Sequence, residues 1–268
     1  MYFDKSYEPA YRFFLENYSE FDNTDKKEIN FNYQKKINIK LLQEINIEKK
    51  VDYDENDIVT IMFKIFSLLN CGENIIDLHK EEPQNVIKFC RKEKMTTNCL
   101  THAMLLSAVY SSLGIFSRIV RCLPVDLHYK DCHVITEVFL KKQNKWIFLD
   151  PANEVCFVSP SGIMSTYEVR RNLIKNDNME LICGPHWEKR LLNLNKDKYI
   201  SYLKKNFIRF NTPIDGYNNE KTLITLVPNN YYYPLKKEEY LKVEIVDDII
   251  VAKIIYTTSA ELFWKSPE

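Results

Sequence analysis

Cys99, His133 and Asp150 occur in an order, and in local settings, that suit nucleophilic thiol chemistry. In such chemistry a thiolate attacks, an imidazole accepts or shares its proton, and a carboxylate orients the imidazole and favours its charged form. Cys99 stands at the start of an apolar helical stretch, "TTNCLTHAMLLSAVYSSLG", where Thr97 or Asn98 is suited to cap the helix and Gly114 to end it. The sulfur is therefore expected among unpaired backbone N–H groups at the positive end of the helix dipole. That setting favours thiolate over thiol and offers donors to an oxyanion forming on an attacked carbonyl.

His133 opens the strand-like run "CHVITEVFL" and Asp150 closes "KWIFLD", with "KKQN" between them as a hairpin loop. If Leu140 pairs with Lys145, Ile135 faces Asp150 and His133 becomes its diagonal neighbour on the same side of the sheet. Diagonal neighbours have backbones about 7–8 Å apart, close enough for a histidine and an aspartate to meet. A slip of one residue would send them to opposite faces. Taken singly, each residue also has a plainer reading. A free cysteine is commonly a small buried hydrophobe, a histidine can sit in a core bonded to a strand carbonyl, and an aspartate before Pro151 can open a turn.

The elements that must position these residues follow from the pattern around them. Residues 35–48 and 56–70 read as helices, the second stopped by "NCG", and "EPQNVIKFCRKEK" reads as a third with Pro83 in its first turn. After Gly114 the pattern becomes short, β-branched and aromatic, in "FSRIVRCL", "CHVITEVFL" and "KWIFLD". "STYEVRRNLIK" returns to a helix, and the tail holds "KTLITLVP" and a hairpin, "YLKVEIVDDIIVAKIIYT", turning at Asp247 and Asp248. Helices in front, a helix-then-sheet centre and a β-rich tail make the class α+β.

Composition narrows the function. The 37 basic residues balance 37 acidic ones, so no nucleic-acid footprint is expected. The apolar stretch "DIVTIMFKIFSLLNCGE" is short and interrupted by Lys64, which argues against a membrane span. The N-terminal residues carry acids and Lys5 where a signal peptide needs an unbroken apolar run, and a cytoplasmic location is expected. Seven cysteines without a repeating spacing suit free thiols better than a disulfide framework. A metal could recruit Cys99 with His102, or Cys132 with His133, but no second Cys pair at zinc spacing exists. With no Gly-rich phosphate loop either, neither a metal nor a cofactor is expected. The tyrosines of "NNYYYP" suit an exposed loop or a strand edge.

The blocks "NCLTHAMLLSAVYSSLGIFSRIV", "CHVITEVFL" and "KWIFLDPANE", in that order over residues 98–154, resemble the transglutaminase-like superfamily. Its pattern is a Cys-headed helix, a Gly-Ile turn into a strand bearing Arg, a His strand with a following acid, and Trp before Leu-Asp-Pro. The resemblance extends, less specifically, through "SPSGIMSTYEVRRNLI", "YLKKNFIRFNTPID" and "AELFWKSP" to a bacterial group of such proteins. It implies a papain-related core over residues 81–180, with the Cys-headed helix packed on an antiparallel sheet. Residues 1–80 would then form a helical N-terminal extension, and residues 181–268 a β-rich appendage packed on the core. It also implies that Cys99 is the nucleophile, His133 the base and Asp150 the orienting acid. Arg118, Glu137 and Arg170 occupy recurrent positions and are read as partners in buried ion pairs.

Two features depart from that pattern. Val134 follows His133 where many members have Ala and then Trp, and no upstream Gln or Trp marks a second oxyanion donor. The function implied is acyl transfer from an amide or thioester through a Cys99 thioester. Hydrolysis by a peptidase or amidase is the favoured reading. An amine acceptor would make the protein an amide-forming acyltransferase or transglutaminase, with a carrier protein as a partner if the donor is a carrier-bound thioester. A non-catalytic binding module on the same fold is the rival of another kind.

Overall fold

Small polar caps fix where the helices of the computed structural model begin. The model describes residues 8–267 except 24, 26–27, 34–35, 126–131, 188–194, 217–220, 232–238 and 246–247, with backbone alone over 239–245 and 248–252. After α1 (Glu8–Asn17), Asn38 caps α2 (Ile39–Ile45). Asp54 and Asp57 form a reciprocal capping box on α3 (Glu55–Leu69), and Pro83 opens α4 (Pro83–Glu93). The helix α5 (Cys99–Leu113) begins at the cysteine itself. Asn98 accepts from the Thr101 N–H at its start, and Gly114 ends it at φ +82°, a left-handed conformation that a residue with a Cβ adopts only under strain. Ser165 and Glu168 box the start of α6 (Thr166–Lys175), Asn195 caps α7 (Lys196–Asn206), and Ser259 caps the short α8 (Ala260–Phe263).

A two-stranded parallel pair, β1 (Ile75–Ile76) and β2 (Thr96–Thr97), lies just ahead of α5. The main sheet is built from β3 (Ser117–Leu123), β4 (His133–Leu140) and β5 (Lys145–Leu149), joined later in the chain by β9 (Arg209–Pro213), β10 (Thr222–Leu226), β11 (Glu239–Ile245) and β12 (Asp248–Thr257). Their order is β11-β12-β10-β9-β3-β4-β5, antiparallel throughout except for the parallel β10–β12 pair. A separate three-stranded sheet pairs β6 (Val155–Ser159) with β7 (Gly162–Ile163) and with β8 (Glu180–Cys183). The hairpin expected in the tail is present as β11 and β12, but Asp247 of its expected turn lies outside the described residues. So do Tyr232 and Tyr233 of "NNYYYP", whereas Tyr231 is buried.

The strands of residues 209–257 continue the same sheet as β3–β5, and α7 adds a helix to the segment read as β-rich. Two large apolar cores result, with one small cluster beside Cys99. One gathers Leu41, Ile58, Ile65, Leu106, Val109, Val138 and Ile147 between the front helices, α5 and the sheet. The other gathers Val120, Ile135, Phe148, Phe157, Tyr199, Leu203 and Phe210 among the sheets, α6 and α7. Alternation along β4 decides which side chain enters which core, since neighbouring residues point to opposite faces.

Arg118 on β3 and Glu137 on β4 are directly opposite each other and form a fully buried ion pair at 2.7 Å. Trp146, Phe263 and Phe31 surround the guanidinium, with ring centres 4.5, 4.8 and 5.5 Å away. Arg118 also donates to the Phe263 carbonyl, and Trp264 donates to Glu137 at 2.8 Å. Arg170 corrects the expectation of an acidic partner. Its guanidinium donates to the carbonyls of Phe207, Ser19 and Tyr18 and stacks on Phe21, so backbone oxygens satisfy it in place of a carboxylate.

Candidate active site

The site is set by a helix start and two adjacent strands. The β1–β2 pair holds the chain immediately before Asn98, and Asp77, next after β1, accepts from Thr101 Oγ1 at 3.4 Å. Burial works against the Asp77 charge, but contacts with His79 outweigh it and hold the carboxyl below its ordinary range. Cys99 is half-buried at the first position of α5, beside Leu100, Ala103, Met104, Ile119, Cys132 and Val134.

The hairpin register is the one the loop length predicts. Leu140 faces Lys145 and Thr136 faces Leu149, which leaves Asp150 just beyond the paired residues and diagonal to His133. The two side chains meet as expected, with Nε2 of His133 2.6 Å from Oδ2 of Asp150. Both are buried, at 2% and 0% exposure. Cys99 is near enough to the same ring to help raise its pKa, although Nδ1 of His133 has no hydrogen-bond partner among the described residues, so the fold brings all three predicted residues into one neighbourhood.

Electrostatics in this pocket are dominated by the buried carboxylate. Burial opposes charge on His133, yet Asp150, helped by Cys99, raises its pKa from 6.5 to about 10. Burial likewise opposes charge on Asp150, but His133, Asn153 and Tyr199 outweigh it and hold the carboxyl below its ordinary value. The imidazole is therefore an imidazolium at neutral pH, paired with an ionised aspartate and standing beside the Cys99 sulfur.

Burial raises the pKa of five thiols away from this ring. Cys90 rises to about 11, Cys156 to about 12 and Cys122 well above its usual value, and Cys71 and Cys183 rise as well.

Other residues here went unread in the sequence. Asn153 donates its backbone N–H to Asp150 Oδ1 at 3.1 Å and its side-chain amide to Oδ2 at 2.8 Å. This is an Asx-type turn, and the signal for it was present in "DPAN". Tyr199 on α7 donates its hydroxyl to the same Oδ2 at 2.8 Å, and the Tyr202 ring lies edge-on to His133 with centres 5.2 Å apart. The i, i+3 spacing of "YISY" places both tyrosines on one helix face, but nothing local to α7 points to the Asp150 hairpin.

A cavity of about 490 Å³ lies at the other end of α5, around Gly114, Phe116, Phe139 and Lys141, and includes none of the three site residues. Among the described residues, no cluster of three or more His, Cys, Asp or Glu could hold a metal, and no helix is long and apolar enough to cross a membrane.

Comparison with known proteins agrees with the local reading. Residues 43–151 match the family model of the core of the transglutaminase-like superfamily. No curated protein matches the chain. A solved structure of a proposed cysteine protease from Cytophaga hutchinsonii shares 16% identity at a TM-score of 0.29, over 54% of this chain and 45% of that one. The present chain thus spans less than half of that protein. The match to the transglutaminase-like superfamily covers residues 43–151, the segment that carries Cys99, His133 and Asp150.

Proposed function

We propose that the protein is a cysteine-nucleophile acyl-transfer enzyme that hydrolyses an amide or thioester through a covalent intermediate on Cys99. The observation that carries this reading is the buried His133–Asp150 pair set against a half-buried cysteine at a helix start. A binding module needs no imidazolium held in charged form beside a cysteine sulfur.

The chemistry follows from the positions. With its proton already held on the His133 imidazolium, the Cys99 sulfur attacks the carbonyl carbon, and a C–S bond forms as the carbonyl π pair moves onto oxygen. Backbone N–H groups at the start of α5 stabilise the oxyanion. His133 returns a proton to the leaving amine or thiol as its bond to carbon breaks, leaving a thioester on Cys99. Water, deprotonated by the now neutral His133, then attacks the thioester, and an acid is released as the Cys99 sulfur leaves. Asp150 stabilises the imidazolium in each half-reaction without itself taking a proton.

The test uses Cys99→Ala and a panel of peptide, amide and acyl-thioester donors, each offered with and without a primary amine. Turnover to the acid that disappears in Cys99→Ala supports the reading. Amide dominating over acid would replace hydrolysis with amine transfer, and full biological activity in Cys99→Ala would favour the binding module.

A further inference from the structure

We infer that Tyr199 is a positioning residue for the reaction: from α7, outside the transglutaminase-like segment, its hydroxyl fixes the charge and orientation of Asp150 and, through it, of His133. The inference rests on the proposed role of the three site residues and adds a fourth that the family match does not reach.

The argument begins with the distribution of donors on Asp150. Oδ2 receives three, from His133 Nε2 at 2.6 Å, Tyr199 Oη at 2.8 Å and Asn153 Nδ2 at 2.8 Å, whereas Oδ1 receives one described donor, the Asn153 backbone N–H at 3.1 Å. The oxygen that holds the imidazole is thus the oxygen that Tyr199 also holds. A phenol can turn its O–H towards a partner but is anchored here by its ring. That ring is 1% exposed, stacks on Phe157 with centres 6.1 Å apart, and meets Trp187 edge-on at 5.4 Å. Burial keeps the phenol protonated by raising its pKa well above 10.0, so it remains a donor across the working range.

Two consequences follow. The carboxylate plane cannot swing without breaking a buried hydrogen bond, which fixes the direction of Nε2 and hence of the ring edge presented to Cys99. The donated hydrogen bond also withdraws charge from Oδ2, which moderates its hold on the imidazolium and eases proton return to the leaving group. The other titratable groups facing the pair are Cys99 on α5, Cys122 on β3 and Tyr202 on α7.

The experiment compares wild type with Tyr199→Phe, which keeps the ring and its packing. His133 is followed by NMR titration and turnover is split into kcat and KM. We expect kcat to fall roughly tenfold or more with KM little changed, since a hydrogen bond to a charged group is lost without loss of substrate contact. His133 should titrate at or above its wild-type value, because an unmoderated carboxylate holds the proton more tightly.

If Tyr199 merely supports the fold, the pair loosens and His133 instead falls towards 6.5. That result, or unchanged kcat and titration, would overturn the inference. Should the phenylalanine variant fail to fold, fluorinated tyrosine at position 199 supplies a stronger donor with the same ring. It must then shift the His133 titration downward, and an unmoved or raised titration refutes the proposal. The titration needs no turnover, so it judges Tyr199 even if Cys99→Ala shows that the acyl-transfer reading is wrong.

Discussion

Asp150→Asn is the most informative single change, because the structure predicts both its geometry and its sign. Three donors converge on Oδ2, so an amide nitrogen there would face donor against donor. The asparagine must therefore keep its oxygen at that position and turn its NH2 towards the single described donor of Oδ1, the Asn153 N–H. Packing is preserved, and what disappears is the charge together with the hydrogen bond from the Asn153 N–H. Asp150, helped by Cys99, raises the His133 pKa, against burial, from 6.5 to about 10, a net stabilisation of the imidazolium on the order of 5 kcal/mol. With that carboxylate neutral, burial acts on His133 with only Cys99 opposing it. The ring should titrate near or below 6.5. At neutral pH most of the imidazolium is then lost, and acyl transfer should slow by about 10²–10⁴-fold. Histidine Cε1–H NMR shifts followed from pH 5 to 11, with His133→Gln to assign the resonance, measure the first effect, and single-turnover kinetics the second. A variant in which His133 still titrates near its wild-type value would refute the claim that Asp150 sustains its charge.

Further outcomes follow from the same contacts. Brief iodoacetamide labelling at about pH 6, read by mass spectrometry, should modify Cys99 before the other cysteines; preferential labelling of Cys183, the exposed thiol, would contradict this. Glu137→Gln removes the counter-charge of a fully buried guanidinium and should cost about 3–5 kcal/mol, seen as a melting temperature lower by roughly 10 °C. The pair Arg118→Met with Glu137→Leu should recover much of that loss, because no lone charge remains. Stability should also depend on pH through the His133–Asp150 pair. The His133 contribution is fully present below its unfolded value of 6.5 and is lost as pH rises through about 10. The Asp150 contribution is present above 3.8 and is lost as pH falls through its lowered folded value. Urea midpoints of wild type and Asp150→Asn should therefore differ most between about pH 4 and 6.5 and converge in strong alkali.

The site was legible where its determinants are local. Asn98, Cys99 and Gly114 mark a helix start and stop through capping chemistry that acts within one turn, and the structure places both ends there. The His133–Asp150 meeting was legible because a four-residue loop fixes the register of a hairpin, and register fixes the face. Tyr199 was not legible: its hydroxyl reaches Asp150 across 49 positions of sequence, and the periodicity of α7 reports only which face is buried. The small sheet of β6, β7 and β8 was missed for a similar reason, since its strands are short and β8 pairs across the intervening α6. Arg170 shows the limit of reading residue type alone. A buried guanidinium calls for acceptors, and carbonyls serve as well as the acid that was expected.

The aromatic enclosure of Arg118 has a consequence for how the protein is made. Residues 263–265 accept from Arg118 on β3 and from Trp146 on β5, while Trp264 donates to Glu137 on β4, so three neighbouring strands are tied to one late stretch of chain. During synthesis, Glu137 emerges 126 residues before Phe263. At about 5–20 residues per second, the nascent chain waits roughly 6–25 s with the Arg118–Glu137 pair short of its last partners. The enclosure of the Arg118–Glu137 pair can therefore close only after residues 263–265 have been made. A ribosome stalled ahead of Phe263 should display a protease-sensitive domain, and one stalled well beyond it a resistant one.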